Sequence, residues 1–301
     1  MNILCTAISM LPYVVEKSAL AWMMQRNTAP LRKVGRRILV EEVADEIERD
    51  AGFATTLAKG LDVLRAFRPN RMSMSNMEIA AQTGINRATV ARLTYTLVKL
   101  GYLKQDKSKF RLSWGALMLV NPLLADAKIL QIARPSMQKL AQDLGGTVSI
   151  GVIDRVNFVY IETSRVNENV WTSQDLGTIG PLLPATIGHA LCAQLTEVEY
   201  AAKLKEMRAS SPELWAKYGE SFVEGVESCR TRGFSVLRGT WIPGTQSAGV
   251  PLLRDKNGEC FAMNCRVPIF RLSGNQIEEE IAPRLKYLAE SVRNQFSYIK
   301  P

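Results

Sequence analysis

SNMEIAAQTGINRATVARLTYTLVKLGYLKQDKSKFRLS, running from Ser75 to Ser113, is the stretch whose reading decides the fold. Ser75 and Glu78 stand three residues apart just before an apolar run. That is capping-box spacing, so a helix is expected to start at Asn76. Ile79 and Ala80 would pack inward and Gly84 would end the helix. After a three-residue gap, Asn86 is a suitable N-cap for a longer helix. Val90, Leu93, Leu97 and Leu100 form its apolar stripe, and Gly101 closes it. A short helix, a glycine-containing turn and a longer helix make helix-turn-helix spacing. The next segment reads as a hairpin. A strand starts at Tyr102-Leu103, Asp106 to Ser108 turn, and Phe110 to Leu112 return. Lys104, Lys107, Lys109 and Arg111 line this hairpin, as the phosphate-clamping wing of a winged helix-turn-helix requires.

Working outward, TTLAKGLDVLRAF places Leu57, Leu61, Leu64 and Phe67 on one helical face, with Pro69 as the stop. Residues 1–52 form an extension with blocks of opposite charge, to which no function is assigned. Its opening, MNILCTAISMLPYVV, lacks a basic n-region. It is read as a buried or partner-facing segment, or an over-extended start, rather than a signal peptide. On the other side, residues 116–133 read as a helical connector with Pro122 near a break. PSMQKLAQDLGG then forms an amphipathic helix with Pro135 near its first turn, Met137, Leu140, Ala141 and Leu144 inward, and Gly145-Gly146 as the stop. TVSIGVID and NFVYIET alternate as strands around Arg155-Val156. A helix is expected from Gly188 to Gln194, and Phe222, Val223, Val226 and Cys229 mark another. Strands near 247–254 and 259–267 flank an Asn257-Gly258 hairpin. Ile277, Ile281, Leu285, Leu288 and Val292 mark a long closing helix. The expected domains are therefore an extension at 1–52, a winged helix-turn-helix at 53–115, a linker helix at 116–133, and an α+β domain at 134–301.

Charge is segregated along the chain. Residues 54–115 hold eleven Lys/Arg against three Asp/Glu, an excess of eight out of the total of +9. A compact basic domain beside a near-neutral one indicates a dedicated nucleic-acid module. No apolar run reaches the roughly 18 residues of a membrane span, and a cytoplasmic protein is expected. The five cysteines are scattered, with no C-x-x-C and no Cys/His cluster, so they are read as small core residues and no metal is expected.

The recognition helix would present Asn86, Arg87, Ala88 and Thr89, then Arg92 one turn on. Arg suits guanine, Asn suits adenine, and a small or methyl-bearing residue can meet the thymine methyl group. Lys104, Lys107, Lys109 and Arg111 would hold the backbone without reading sequence. The bland alternative is a small helical domain with solvated charges. No catalytic residue and no cofactor are expected. There is no G-x-S-x-G, glycine-rich phosphate loop or H-E-x-x-H. The lone histidine, His189, lies in a small-residue helix start, where a packing role is the ordinary one.

TLAKGLDVLRAF, EIAAQTGINRATVARLTYTLVKLGYL, KSKFRLSWGALML, GPLLPATIGHALCA and RTRGFSVLRGTWIPGTQSAGVPLLRDKNG follow one another in this order. Together they make the chain, from about Phe53 to Ser297, resemble the IclR family of bacterial transcriptional regulators. The resemblance implies a GAF-like α/β effector-binding domain that takes a small organic acid or related metabolite. It also implies dimers, or dimers of dimers, on palindromic double-stranded promoter DNA. The effector pocket it implies comprises Leu183, Ala185, Thr186, Ser247, Asn264 and Arg266. Two positions depart from the family pattern. Leu183 stands where many members have His, and Thr240 where many have Glu, which implies a different and more apolar effector. Arg266 could pair bidentately with a carboxylate or be a surface arginine at a strand end. Two other classes compete: an enzyme acting on a small metabolite with a winged-helix appendage, and a winged-helix interaction or RNA-binding module. The basic segment lacks an aromatic stacking platform, which counts against single-stranded RNA.

Overall fold

The computed structural model describes residues 52–68, 71–166, 176–239 and 242–299. The described residues divide into two compact units that meet in sequence at Lys128 and Ile129.

The first unit begins with α1 (Thr55–Arg65), followed by β1 (Met74–Ser75), α2 (Asn76–Thr83), α3 (Arg87–Lys99), β2 (Leu103–Asp106) and β3 (Lys109–Leu112). The capping box at α2 is present in both directions: the Ser75 hydroxyl accepts from the Glu78 amide, and the Glu78 carboxylate accepts from the Ser75 amide. Gly84 ends α2 in the left-handed region at φ 68°, which a side chain would resist. The three strands form one antiparallel sheet in the order β1-β3-β2, with Met74 opposite Phe110 and Leu103 opposite Leu112. Phe110 and Leu103 turn inward onto Val63, Ile79, Val90 and Leu97.

Two expected faces differ. Leu57 and Leu61 are 63% and 41% exposed, while Val63 of α1 and Ala66 and Phe67 just after it are buried. Gly60 lies on this inward side and faces Leu93. α1 also ends at Arg65, before Pro69, which lies outside the described residues. Leu100 is 64% exposed, because it caps α3 rather than lying within the stripe.

A 3-10 turn at Trp114–Ala116 leads into α4 (Leu117–Asp126), which carries Pro122 within it, so the expected break falls at Ala127 instead. α5 (Lys128–Leu144) then runs straight through Pro135. Ile129, Leu130 and Ala133 extend the buried stripe of Met137, Leu140, Ala141 and Leu144, and that packing outweighs one proline. Residues 128–133 are thus the start of this helix rather than the end of a separate connector.

The second unit is built on a six-stranded antiparallel sheet, ordered β6-β5-β4-β9-β8-β7. Its strands are β4 (Thr147–Asp154), β5 (Asn157–Arg165), β6 (Ile179–Pro181), β7 (Ser235–Arg238), β8 (Thr245–Arg254) and β9 (Cys260–Pro268). Nearly every residue of β9 is buried, so both faces are covered. On one face lie α6 (Thr186–Cys192) and α8 (Pro212–Arg232), the latter packed against α6; α7 (Glu197–Ser210) packs on α8. On the other, α5 reaches β5 through the Arg134–Glu162 ion pair, and Asp143 pairs with Arg284 of α9 (Ala282–Ile299). Arg155 and Gly258 adopt positive φ in the two expected turns. Ile277, Ile281, Leu285, Leu288 and Val292 are all buried on the closing helix, which opens with a π-turn at Ile277–Ile281. The result is the expected GAF-like α/β arrangement.

Candidate functional site

The expected recognition helix of the first unit is α3. Asn86 caps this helix, its Oδ1 accepting from the Thr89 amide at 2.8 Å. That engages the carbonyl with which Asn86 would accept from adenine and leaves its amide nitrogen for reading. Asn86, Arg87, Ala88 and Arg92 are exposed, and Thr89 is half-buried against the domain. In the wing, Lys104, Lys107, Lys109 and Arg111 are all exposed. Lys107 sits at the hairpin tip with φ 53°, and Lys104 and Arg111 stand opposite each other on neighbouring strands. Lys109 pairs in register with Ser75. The Glu78 carboxyl is held below its usual range, first by the Ser75 amide and hydroxyl and then by the charges of Lys109 and Arg71. The wing lysine thus lies beside the N-terminus of α2.

In the second unit, a cleft opens between the start of α6 and the β7–β8–β9 end of the sheet. The cleft is small and partly open to solvent. Strand pairing creates it: Ser247 lies opposite both Leu237 and Arg266, and Gly249 opposite Asn264. Gly249 lets α6 approach closely, because a Cβ there would come within 2.2 Å of the Thr186 carbonyl oxygen. Ala185, Thr186, Ser247, Asn264 and Arg266 all line the cleft. Leu183 does not; it is buried in the apolar cluster with Phe222 and Leu191. Thr240 lies outside the described residues. Sequence spacing missed Leu237, Ile242 and Thr245, which share the wall, since only strand register places them there.

Arg266 is 7% exposed, so the surface-arginine alternative is corrected. Burial works against its charge and the neighbouring Tyr160 works for it. The Thr186 hydroxyl and the Asn264 carbonyl oxygen are buried and make no hydrogen bond among the described residues. The wall therefore offers a buried cation, two polar groups and an aliphatic lining.

His189 stands behind this wall, fully buried. Its Nδ1 is 3.2 Å from the Ser235 hydroxyl and its ring meets the edge of Phe222. Burial lowers its pKa to about 4, with the Leu183 carbonyl pulling the other way, so the imidazole is neutral. The four described cysteines are free and buried, as expected of core residues, and burial pushes Cys192, Cys229 and Cys265 up to about 12. Cys5 lies outside the described residues. Among the described residues no group of His, Cys, Asp and Glu could hold a metal, and no single helix is long and apolar enough to cross a membrane.

Residues 56–107 match the IclR helix-turn-helix domain, and residues 122–294 match the C-terminal domain of bacterial IclR transcriptional regulators. The chain belongs to the IclR family. A crystal structure of an IclR-family regulator from Brucella abortus is 33% identical, covers 83% of this chain and 93% of its own, and superposes with a TM-score of 0.70. The HTH-type transcriptional regulator TsaQ1/TsaQ2 of Comamonas testosteroni is 25% identical over 84% of this chain and 92% of its own length. A p-hydroxybenzoate hydroxylase transcriptional activator of Acinetobacter baylyi is 26% identical over 82% of this chain and 93% of its own. This IclR-family protein is a DNA-binding transcriptional regulator, and its relatives are regulators rather than enzymes.

Proposed function

We propose that this regulator senses a small carboxylic acid in the cleft of its second unit and binds promoter DNA as a dimer or a dimer of dimers. The observation that carries the reading is the buried guanidinium of Arg266, gathered with Ala185, Thr186, Ser247 and Asn264 in one wall. A guanidinium in the wall of a cleft can give a carboxylate two hydrogen bonds. Asn86, Arg87, Ala88, Thr89 and Arg92 meet the bases, and Lys104, Lys107, Lys109 and Arg111 meet the phosphates. In this reading residues 53–115 are the DNA-binding domain, 116–127 the link, 128–301 the sensor, and 1–52 an extension. The site of action is the cytoplasm. A relative named for activating p-hydroxybenzoate hydroxylase makes an aromatic hydroxy acid one candidate class. Leu237 and Ile242 offer an aliphatic wall to the ligand's apolar part.

The test is binding to the promoter region upstream of its own and neighbouring genes, across a salt series. Full-length protein, a deletion of residues 54–115, and Arg92→Ala and Lys107→Ala variants are compared. The deletion should abolish binding. Arg92→Ala should cost about 1–3 kcal/mol on the specific site, and Lys107→Ala should weaken all sequences alike and flatten the salt dependence. A panel of aliphatic and aromatic carboxylates, 4-hydroxybenzoate included, is then added. A ligand acts only through its differential affinity for two states of the protein, so one member should change DNA affinity and lose that effect in Arg266→Met. Arg266→Met responding like the wild type would remove the carboxylate reading.

A further inference from the structure

The outward face of α3 carries residues beyond those at its N-terminus. Val90, Leu93 and Leu97 are buried, and at 100° per residue the line opposite them runs through Ala88, Arg92, Tyr95 and Lys99. All four are exposed, and Tyr95 is 65% so, a large aromatic ring standing clear of the domain's own core. The Lys99 ammonium lies 5.5 Å from the centre of that ring. At 1.5 Å per residue, Tyr95 stands about 12 Å along the axis from Arg87. A recognition helix reads bases with its first turns. Residues this far along the same face reach the wall of the groove, where phosphate oxygens are the available acceptors.

We infer that Tyr95 is a DNA contact, its phenol hydroxyl donating to a phosphate oxygen at the groove edge with Lys99 propping the ring and adding a cation. The contact is with backbone, so it positions the helix without selecting sequence. This inference rests on α3 being the helix that enters the groove.

The experiment uses the full-length protein and a mixed-sequence DNA duplex, with affinity measured across a salt series. Tyr95→Phe removes only the hydroxyl and keeps the ring. It should lose roughly ten-fold in affinity, as removal of a hydrogen bond to a charged acceptor does. The slope against salt should stay unchanged, because no charge is lost. Lys99→Ala should lower that slope by about 0.9 per protomer. The thermal midpoint of Tyr95→Phe should match the wild type, since the residue is exposed. Wild-type affinity in Tyr95→Phe overturns the inference, and a ring needed only for contact between copies would give that result. Arg92→Ala, measured on the promoter duplex, serves as the reference. If it weakens binding while Tyr95→Phe does not, the hydroxyl contact alone is wrong. If neither changes binding, α3 does not face DNA and the broader reading fails with it.

Discussion

His189 shows how one side chain is fixed by its surroundings. Its imidazole packs directly over Gly225, where an added Cβ would lie 2.1 Å from Nδ1, and is held between Ser235 and Phe222. Its folded pKa of about 4 lies below the ordinary 6.5. The neutral form is favoured in the fold, so this stabilisation is complete above pH 6.5 and is lost as pH falls toward 4. Linkage puts the loss on the order of 3 kcal/mol. Urea unfolding of wild type and His189→Gln at pH 7.5 and pH 4.5 checks this. The carboxylates titrate in both proteins, so the difference between the two isolates the histidine. The wild type should lose more stability on acidification than the variant, and equal losses would contradict the burial argument. Arg266 shows the same dependence on context. Nothing in the letters RVPI distinguishes a strand-end surface arginine from a guanidinium folded into a cleft.

At the level of elements, local signals and packing compete. The capping box at α2 is complete, and Ser75 also pairs with Lys109 of the wing, so one residue joins helix start and sheet. Ser75→Ala should lower the stability of the first unit by about 1 kcal/mol, with Ser75→Thr recovering most of it. Chemical denaturation followed by circular dichroism reads this, and an unchanged midpoint for Ser75→Ala would show that the cap carries no net energy. A second capping box, Thr196 with Glu199, opens α7, a helix the sequence reading passed over although the T-x-x-E spacing was there. Glu199 is also clasped by Arg254, which with the Thr196 contacts lowers its pKa to about 2. Where a signal was local it could be read; where packing between elements sets a face, as it does on α1, it could not.

At the scale of the whole molecule, one run of exposed apolar side chains among the described residues lies around α4. Trp114, Leu117, Met118 and Leu123 are exposed on consecutive turns around α4, more than a lone chain ordinarily shows to water. In the proposed dimer a second copy covers this surface. Leu123→Glu should then shift the protein toward monomer in sedimentation at micromolar concentration while leaving its circular dichroism unchanged. It should also weaken DNA binding, because two recognition helices must act together. An unaltered oligomeric state would place the dimer contact elsewhere.

The sequence alone determined the winged helix-turn-helix, the basic excess that accompanies it, the amphipathic helices and the turns at Arg155 and Gly258. Each of these depends on residues near one another in the chain: a cap, a stop, a period, a run of charge. Of the six pocket residues that the resemblance implied, five line the cleft. Tertiary structure decided the rest. Strand order and register brought Leu237, Ser247 and Arg266 into one wall, and Gly249 let α6 close over it, while Leu183 turned away into the core. The passage of α5 through Pro135 and the outward turn of Leu57, Leu61 and Leu100 were settled in the same way. These outcomes depend on contacts between segments tens of residues apart, and the energy of such contacts appears only when the chain has folded.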